Sequence, residues 1–168
     1  MIQPGYLQRM ARYNRWQNES LYKAANQLDD ADRRKDRGSF FGSIHETLSH
    51  ILWADQIWMS RISDWASPGT GVPGSTSLFD DWDELCRLRN EADHKFIAWA
   101  DDITQAEIDG DLNYVDSGGT PQTRVRAVCL MQVFNHQTHH RGQVHAMLTS
   151  AGLATEDTDI PFMPEVYF

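Results

Sequence analysis

The chain lacks any long apolar run, has few cysteines and is short of positive charge. No stretch approaches the ~18 apolar residues of a membrane span, so no membrane partner is expected. Met1-Ile2-Gln3-Pro4-Gly5-Tyr6 is not a basic segment followed by an apolar one, so no secretory signal is expected. Only two cysteines occur, Cys86 and Cys129, both inside helical patterns. They read as small core hydrophobes in a reducing, cytoplasmic compartment. Lys and Arg total 15 against 24 Asp and Glu, a formal net charge of -9. So acidic a surface repels phosphate backbones, which argues against nucleic acid as a partner. Internal repeats and low-complexity segments are also lacking. What remains is 168 residues with 40% hydrophobic and 23% charged content, enough for one folded domain over residues 1–168 and too apolar for wholesale disorder. Trp16, Trp53, Trp58, Trp65, Trp82 and Trp99 are many for this length and point to an aromatic core or an aromatic-lined pocket.

Four stretches carry the 3.6-residue period of an amphipathic helix. The first covers Tyr6 to Leu28. A charged run from Arg33 to Arg37 follows it and reads as a solvated loop, because acids flank it. The second covers Ser43 to Trp65, with Ile44, Leu48, Ile51, Trp58 and Ile62 as its stripe. It stops at the breakers between Ser67 and Gly74. The third covers Leu78 to Ile103, with Ser75 to Ser77 as cap candidates. Leu112 to Val115 reads as a short extended piece or a turn. The fourth covers Pro121 to Ala151, with Thr120 as N-cap, Pro121 in the first turn and Gly152 just past the end. Four such helices with no strong strand pattern imply an all-α four-helix bundle.

Chemistry concentrates in the histidines. His136 and His140 are four residues apart, so both project from one face of the fourth helix. That spacing lets two imidazoles reach one ion, although seven histidines in 168 residues give the spacing little specificity by itself. The surroundings add to it. Val125, Cys129, Val133, Val144, Met147 and Ala151 lie on the same stripe, so that face points to the core. Buried imidazoles need partners. A shared metal is one solution, and bonds to acids on neighbouring helices are the other. A third ligand would come from His45, His50 or His94. His94 sits between Asp93 and Lys95 and reads as solvated. Periodicity does not separate His45 from His50.

These residues carry a resemblance. His136-Gln137-Thr138-His139-His140-Arg141-Gly142-Gln143 resembles the H-x-x-x-H-R-G-Q signature of the DinB family, the DNA-damage-inducible, DinB/YfiT-like four-helix-bundle metalloproteins. His50 followed by Ala54-Asp55 and Trp58 resembles the family's second-helix pattern, and Tyr13-Asn14-Arg15-Trp16 its Y-N-x-W motif. The likeness spans almost the whole chain. It implies metal ligands at His50, His136 and His140, an up-up-down-down bundle with a long crossover, and a homodimer. Asn14, Asp55 and His139 are the candidates for orienting the ligand rings, since a bound imidazole donates its other N–H. Arg141, Gly142 and Gln143 read as helix-contact residues, and His145 as a dimer-surface residue. Trp16, Trp53 and Trp58 are the candidates for a pocket lining.

Three neutral imidazoles leave a divalent ion its full charge and an open coordination position. Imidazole suits Zn2+, Ni2+ and Fe2+ alike, so the metal is not specified. Some proteins of the wider superfamily that the chain resembles are transferases or isomerases using low-molecular-weight thiols such as bacillithiol or mycothiol. The resemblance therefore implies a metal-dependent enzyme of thiol-S-transferase type acting on a small molecule. The alternatives are a hydrolase using a metal-bound hydroxide, or a non-enzymatic metal-stabilised dimeric module. No Ser–His–Asp arrangement is evident, and neither cysteine has a catalytic context.

Overall fold

Local signals start three of the four long helices. In a computed structural model describing residues 1–168, α1 spans Pro4–Ala25, with its proline in the first turn where a missing N–H costs nothing. The short α2, Asp30–Arg34, is capped by Asp29, whose carboxylate accepts from Asp32 N at 2.8 Å. Ser43 caps α3, Ile44–Ile62, and exchanges hydrogen bonds with Glu46. Asp81 caps α4, Trp82–Asp102. This corrects the expected start near Ser75 to Ser77, which lie in the preceding loop. A one-turn α5, Gln105–Ile108, precedes an antiparallel hairpin of β1, Asp111–Val115, and β2, Pro121–Val125. The last helix, α6, is Arg126–Ser150.

The hairpin corrects the start of the fourth long helix. Thr120-Pro121 looks like a cap followed by a first turn, but Pro121 pairs with Val115 at the end of a strand. A proline is tolerated there because it opens β2 and has only one neighbouring strand. The turn between the strands is held by Asp116, whose carboxylate accepts from Gly118 N and Thr120 N, both at 2.9 Å. Gly119 has φ +83°, which a side chain would disfavour.

The four long helices bury two apolar clusters, one toward each end of the bundle. One joins the C-terminal half of α1 (Leu21, Ala25) to the N-terminal parts of α3 (Ile44, Leu48) and α4 (Trp82, Leu85) and the C-terminal part of α6 (Val144, Leu148). The other joins the opposite halves, among them Leu7, Met59, Phe96 and Phe134. Which ends share a cluster fixes the directions. α1 and α6 run one way, and α3 and α4 run the other. Arg12–Asp101, Asn18–Asp93 and Trp82–Asn26 bonds confirm that α1 and α4 are antiparallel. The order is therefore up-down-down-up, which corrects the up-up-down-down order implied by the resemblance. α1 packs chiefly on α4, and α3 on α6, so α1 lies diagonally from α3 and α4 from α6. The expected long crossover is present. It is residues 63–81, because two parallel helices cannot be joined by a tight turn.

Between the two clusters every long helix turns polar. Asn14, Gln17 and Asn18 of α1, Asp55 of α3, Arg89 and Asp93 of α4, and Gln137 and Arg141 of α6 are all buried there. The charged run after α1 also differs from its expected solvation. Arg33 is buried, with its guanidinium 4.6 Å from the Trp82 ring centre. No helix is long and apolar enough to cross a membrane.

Candidate metal centre

His136 and His140 stand one turn apart on α6, and α3 packs against that face. His50 faces them from α3. One ring nitrogen of each of these three histidines lies within 4.8 Å of the other two. His50 Nε2 and His136 Nε2 are 3.4 Å apart. Two nitrogens bound at about 2.0–2.1 Å in a tetrahedral shell stand roughly 3.3–3.4 Å apart, so the spacing fits a shared ion.

Hydrogen bonds fix the tautomers. Ser75 donates its hydroxyl to Val72 O at 2.8 Å, so its oxygen accepts from His50 Nδ1–H, also at 2.8 Å. Gln143 Oε1 accepts from His140 Nδ1–H at 2.8 Å. In both rings the proton sits on Nδ1, which leaves the Nε2 lone pair free. His50 thus turns a free Nε2 lone pair toward His136 Nε2. Burial, reinforced by neighbouring imidazoles, pushes the His50 pKa down to about 3 and that of His136 to about 4. His140 is lowered as well, chiefly by burial. All three rings are therefore neutral near pH 7, as ligands must be. The donor set and its geometry suit a divalent ion, and the cluster could hold one.

The crossover supplies part of this shell. Ser49 Oγ donates to Ser75 O, and Trp53 Nε1 donates to Thr70 O, both at 2.9 Å. These bonds tie the loop down onto α3 and set Ser75 behind His50. Phe41, from the loop before α3, covers the other side, with ring centres 4.0 Å from His50 and 5.2 Å from His140. His136 is half-buried.

The other candidates fall in several places. His45 is buried but bonds Phe79 O at 2.8 Å, outside the cluster, and His94 is exposed on α4. Trp53 is near the cluster, with its ring centre 5.4 Å from that of His50. Trp16 is buried with its Nε1 on Glu156, and Trp58 packs on Tyr114 and Arg61. His139 reaches the centre indirectly. Its ring centre is 4.8 Å from that of His140, and its Nε2 takes a 3.4 Å bond from Gln143 Nε2.

Asn14 and Asp55, expected behind the ligand rings, have other partners. Asn14 donates to Gln137 Oε1, Gln137 Nε2 donates to Asp55 at 2.6 Å, and Asp55 also accepts from Arg89. The network continues through Arg89 to Asp93 and Asn18. Helical phase explains this. Gln137 projects about 100° around α6 from His136, into the bundle interior, and the polar side chains of α1 and α4 meet it there. Ser75, Gln143 and Phe41 take the places beside the rings. Ser75 and Phe41 sit in irregular loops, where no period marks them. Gly142 is exposed, with nothing near its Cβ position, so close helix approach is not its role. His145 bonds Thr155 of the chain's own tail at 3.0 Å. Both cysteines are free, Cys129 buried and Cys86 half-buried.

The chain is 26% identical over 165 residues to Protein DinB of Bacillus subtilis (strain 168), covering 90% of this chain and 89% of that one. It is also similar to the crystal structure of a DinB-like protein from Bacillus cereus ATCC 10987, at 21% identity and a TM-score of 0.49, over 84% of this chain and 90% of that chain. The DinB family model matches residues 1–167, and the chain belongs to the DinB family.

Proposed function

We propose that this protein is a metal-dependent enzyme of thiol-transferase type acting on a small molecule. The observation that carries the reading is the tautomer pattern. His50 and His140 each hold the proton on Nδ1, against Ser75 and Gln143, and leave the Nε2 lone pair free. A divalent ion bound there would keep its full charge and act as a Lewis acid able to hold a thiol in its thiolate form. The chain's own part is to orient the rings, present one partly open side at His136, and keep water off the other sides with Phe41 and Trp53. The net step would transfer the thiol sulfur to an electrophilic carbon, with the thiol proton passing to solvent or to the leaving group.

The ring partners favour thiol chemistry over hydrolysis. Ser75 and Gln143 are neutral, and the two acids of α3 flanking His50 are committed elsewhere, Asp55 to Arg89 and Gln137 and Glu46 to Ser43. A hydrolase gains from a carboxylate base beside its water, whereas a thiol brings its own nucleophile. Zn2+, Ni2+ and Fe2+ all suit three imidazoles. A homodimer is part of the same proposal, and exposed Val128 and Met131 on α6 would give it an apolar face. The test is a Co2+-loaded sample titrated with small thiols. The cobalt spectrum should change on thiol addition, and His140→Ala should abolish the change. A spectrum indifferent to every small thiol would contradict the thiol reading and leave hydrolysis.

A further inference from the structure

Beside the three histidines lies a cleft of about 270 Å3 whose composition differs from the rest of this acidic surface. It is lined from one side by Arg37, Gly38, Ser39 and Phe40, and from α6 by Gln143 and Met147, among others. Arg37 is the one charged residue in the lining, in a chain whose net charge is -9. Gln143 belongs to both places, because its Oε1 holds His140 Nδ1. Phe40 and Phe41 link them as well. Phe41 packs on His50 and His140, and Phe40 meets Phe41 edge-on with ring centres 4.8 Å apart.

The segment that carries Arg37 has a set shape. Arg37 N donates to Gly42 O at 2.9 Å, and Gly42 N donates to Ser39 O at 3.0 Å. Gly42 has φ +79°, and a Cβ there would come within 3.1 Å of Glu46 Oε2, so the turn requires glycine. Within this turn two polar atoms have no partner, Arg37 Nε and Ser39 Oγ, although both are screened from water. Arg37 Nη2 donates to Asp32 O at 3.1 Å. Two acids stand near the turn: Asp36, bonded to Gly38 N, and Glu46, bonded to Ser43. Neither lines the cleft.

We propose that this cleft binds the carboxylate of the substrate, with the Arg37 guanidinium as its charge partner. The reading rests on the proposed thiol chemistry and narrows its substrate class to small organic acids. The Arg37 guanidinium, the one charge lining the cleft, gives a carboxylate its counter-charge, while Arg37 Nε and Ser39 Oγ are buried within the turn. Phe40 and Met147 supply an apolar wall for the carbon chain that joins this anchor to the reacting end.

The test compares a length series of ω-mercapto carboxylates with ω-mercapto alcohols of the same lengths, on Co2+-loaded protein. At the best length the acid should bind roughly ten- to a hundredfold tighter than the alcohol, the range for a charge-assisted hydrogen bond. Arg37→Gln should erase that difference, leave alcohol binding unchanged, and keep the metal content of the wild type. Arg37→Lys should keep part of the preference. Equal binding of acid and alcohol at every length would overturn the carboxylate site while leaving the thiol reading intact. If no thiol alters the cobalt spectrum, the thiol reading fails, and a second titration decides the cleft. Metal-free protein is titrated with butyrate while the backbone amide signals of Gly38 and Ser39 are followed. Saturable shifts that vanish in Arg37→Gln support the site, and their absence overturns it.

Discussion

Two polar clusters are buried in this bundle, and they are built on opposite terms. Along the bundle interior, Asp55, Arg89, Asp93 and Arg141 contribute two negative and two positive charges, linked through Asn14, Asn18 and Gln137. Opposite charges balance there, although Asn14 Oδ1, Asn18 Oδ1 and Arg89 Nε find no partner. Burial opposes the Arg89 charge, but Asp93 and Asp55 outweigh it and hold its pKa above the ordinary value. At His50, His136 and His140, by contrast, three neutral rings converge, and His50 and His140 turn their protons away. A charge-balanced arrangement of polar groups holds the fold. An arrangement that is complementary only to a cation is a site.

Breaking the charge layer should have the largest effect. Arg89→Met leaves Asp55 and Asp93 buried without their shared counter-charge, at a cost of about 3–5 kcal/mol in urea unfolding. Replacing all four charged residues, Arg141 included, with apolar ones of similar volume should cost far less per charge removed, because no charge is then stranded. If the single variant loses no more stability than the quadruple one does per charge removed, the layer is not held by charge balance.

The groups behind the rings come next. Ser75→Ala and Gln143→Ala should each weaken metal binding about 10–100-fold by releasing the tautomer of His50 or His140. Competition with a chromophoric chelator measures this. Asp55→Asn should change metal affinity much less, because Asp55 touches no ligand ring. Equal losses in all three variants would erase the distinction between the two clusters.

A smaller effect separates them by pH. The folded-state values of His50 and His136, about 3 and about 4, lie below the ordinary 6.5. The unfolded chain therefore takes up protons below pH 6.5 that the folded chain refuses. Their contribution is present above that pH and is lost as pH falls toward 4 and then 3. Metal-free wild type should lose stability more steeply over that window than His136→Ala does. Identical slopes in urea unfolding at a series of pH values would contradict the buried, neutral rings.

The sequence makes some of this legible and hides the rest for physical reasons. The four long helices were visible because an amphipathic stripe repeats over many turns, and their ends fall within a few residues of expectation, except where α6 begins. There Thr120-Pro121 gives the same local signal whether a helix or a strand follows, and only pairing with Val115 decides it. The facing of His136 and His140 was legible from their spacing on an apolar stripe. His50 was named only through the family motif, since period did not distinguish it from His45. No sequence signal places Phe41 or Ser75 beside the rings, because their loops are brought there by tertiary bonds such as Ser49 to Ser75. The helix directions likewise follow from which apolar ends meet, a property that one-dimensional patterning does not carry.

The central claim is that His50, His136 and His140 hold one divalent ion. The direct measurement is elemental analysis of untagged, metal-depleted protein after exposure to excess Zn2+ or Co2+ and desalting. The account predicts about one ion per chain for the wild type and none at stoichiometry in His50→Ala, His136→Ala or His140→Ala, each shown by circular dichroism to be folded. A wild type that takes up no ion, or a folded variant that keeps a full equivalent, would contradict it.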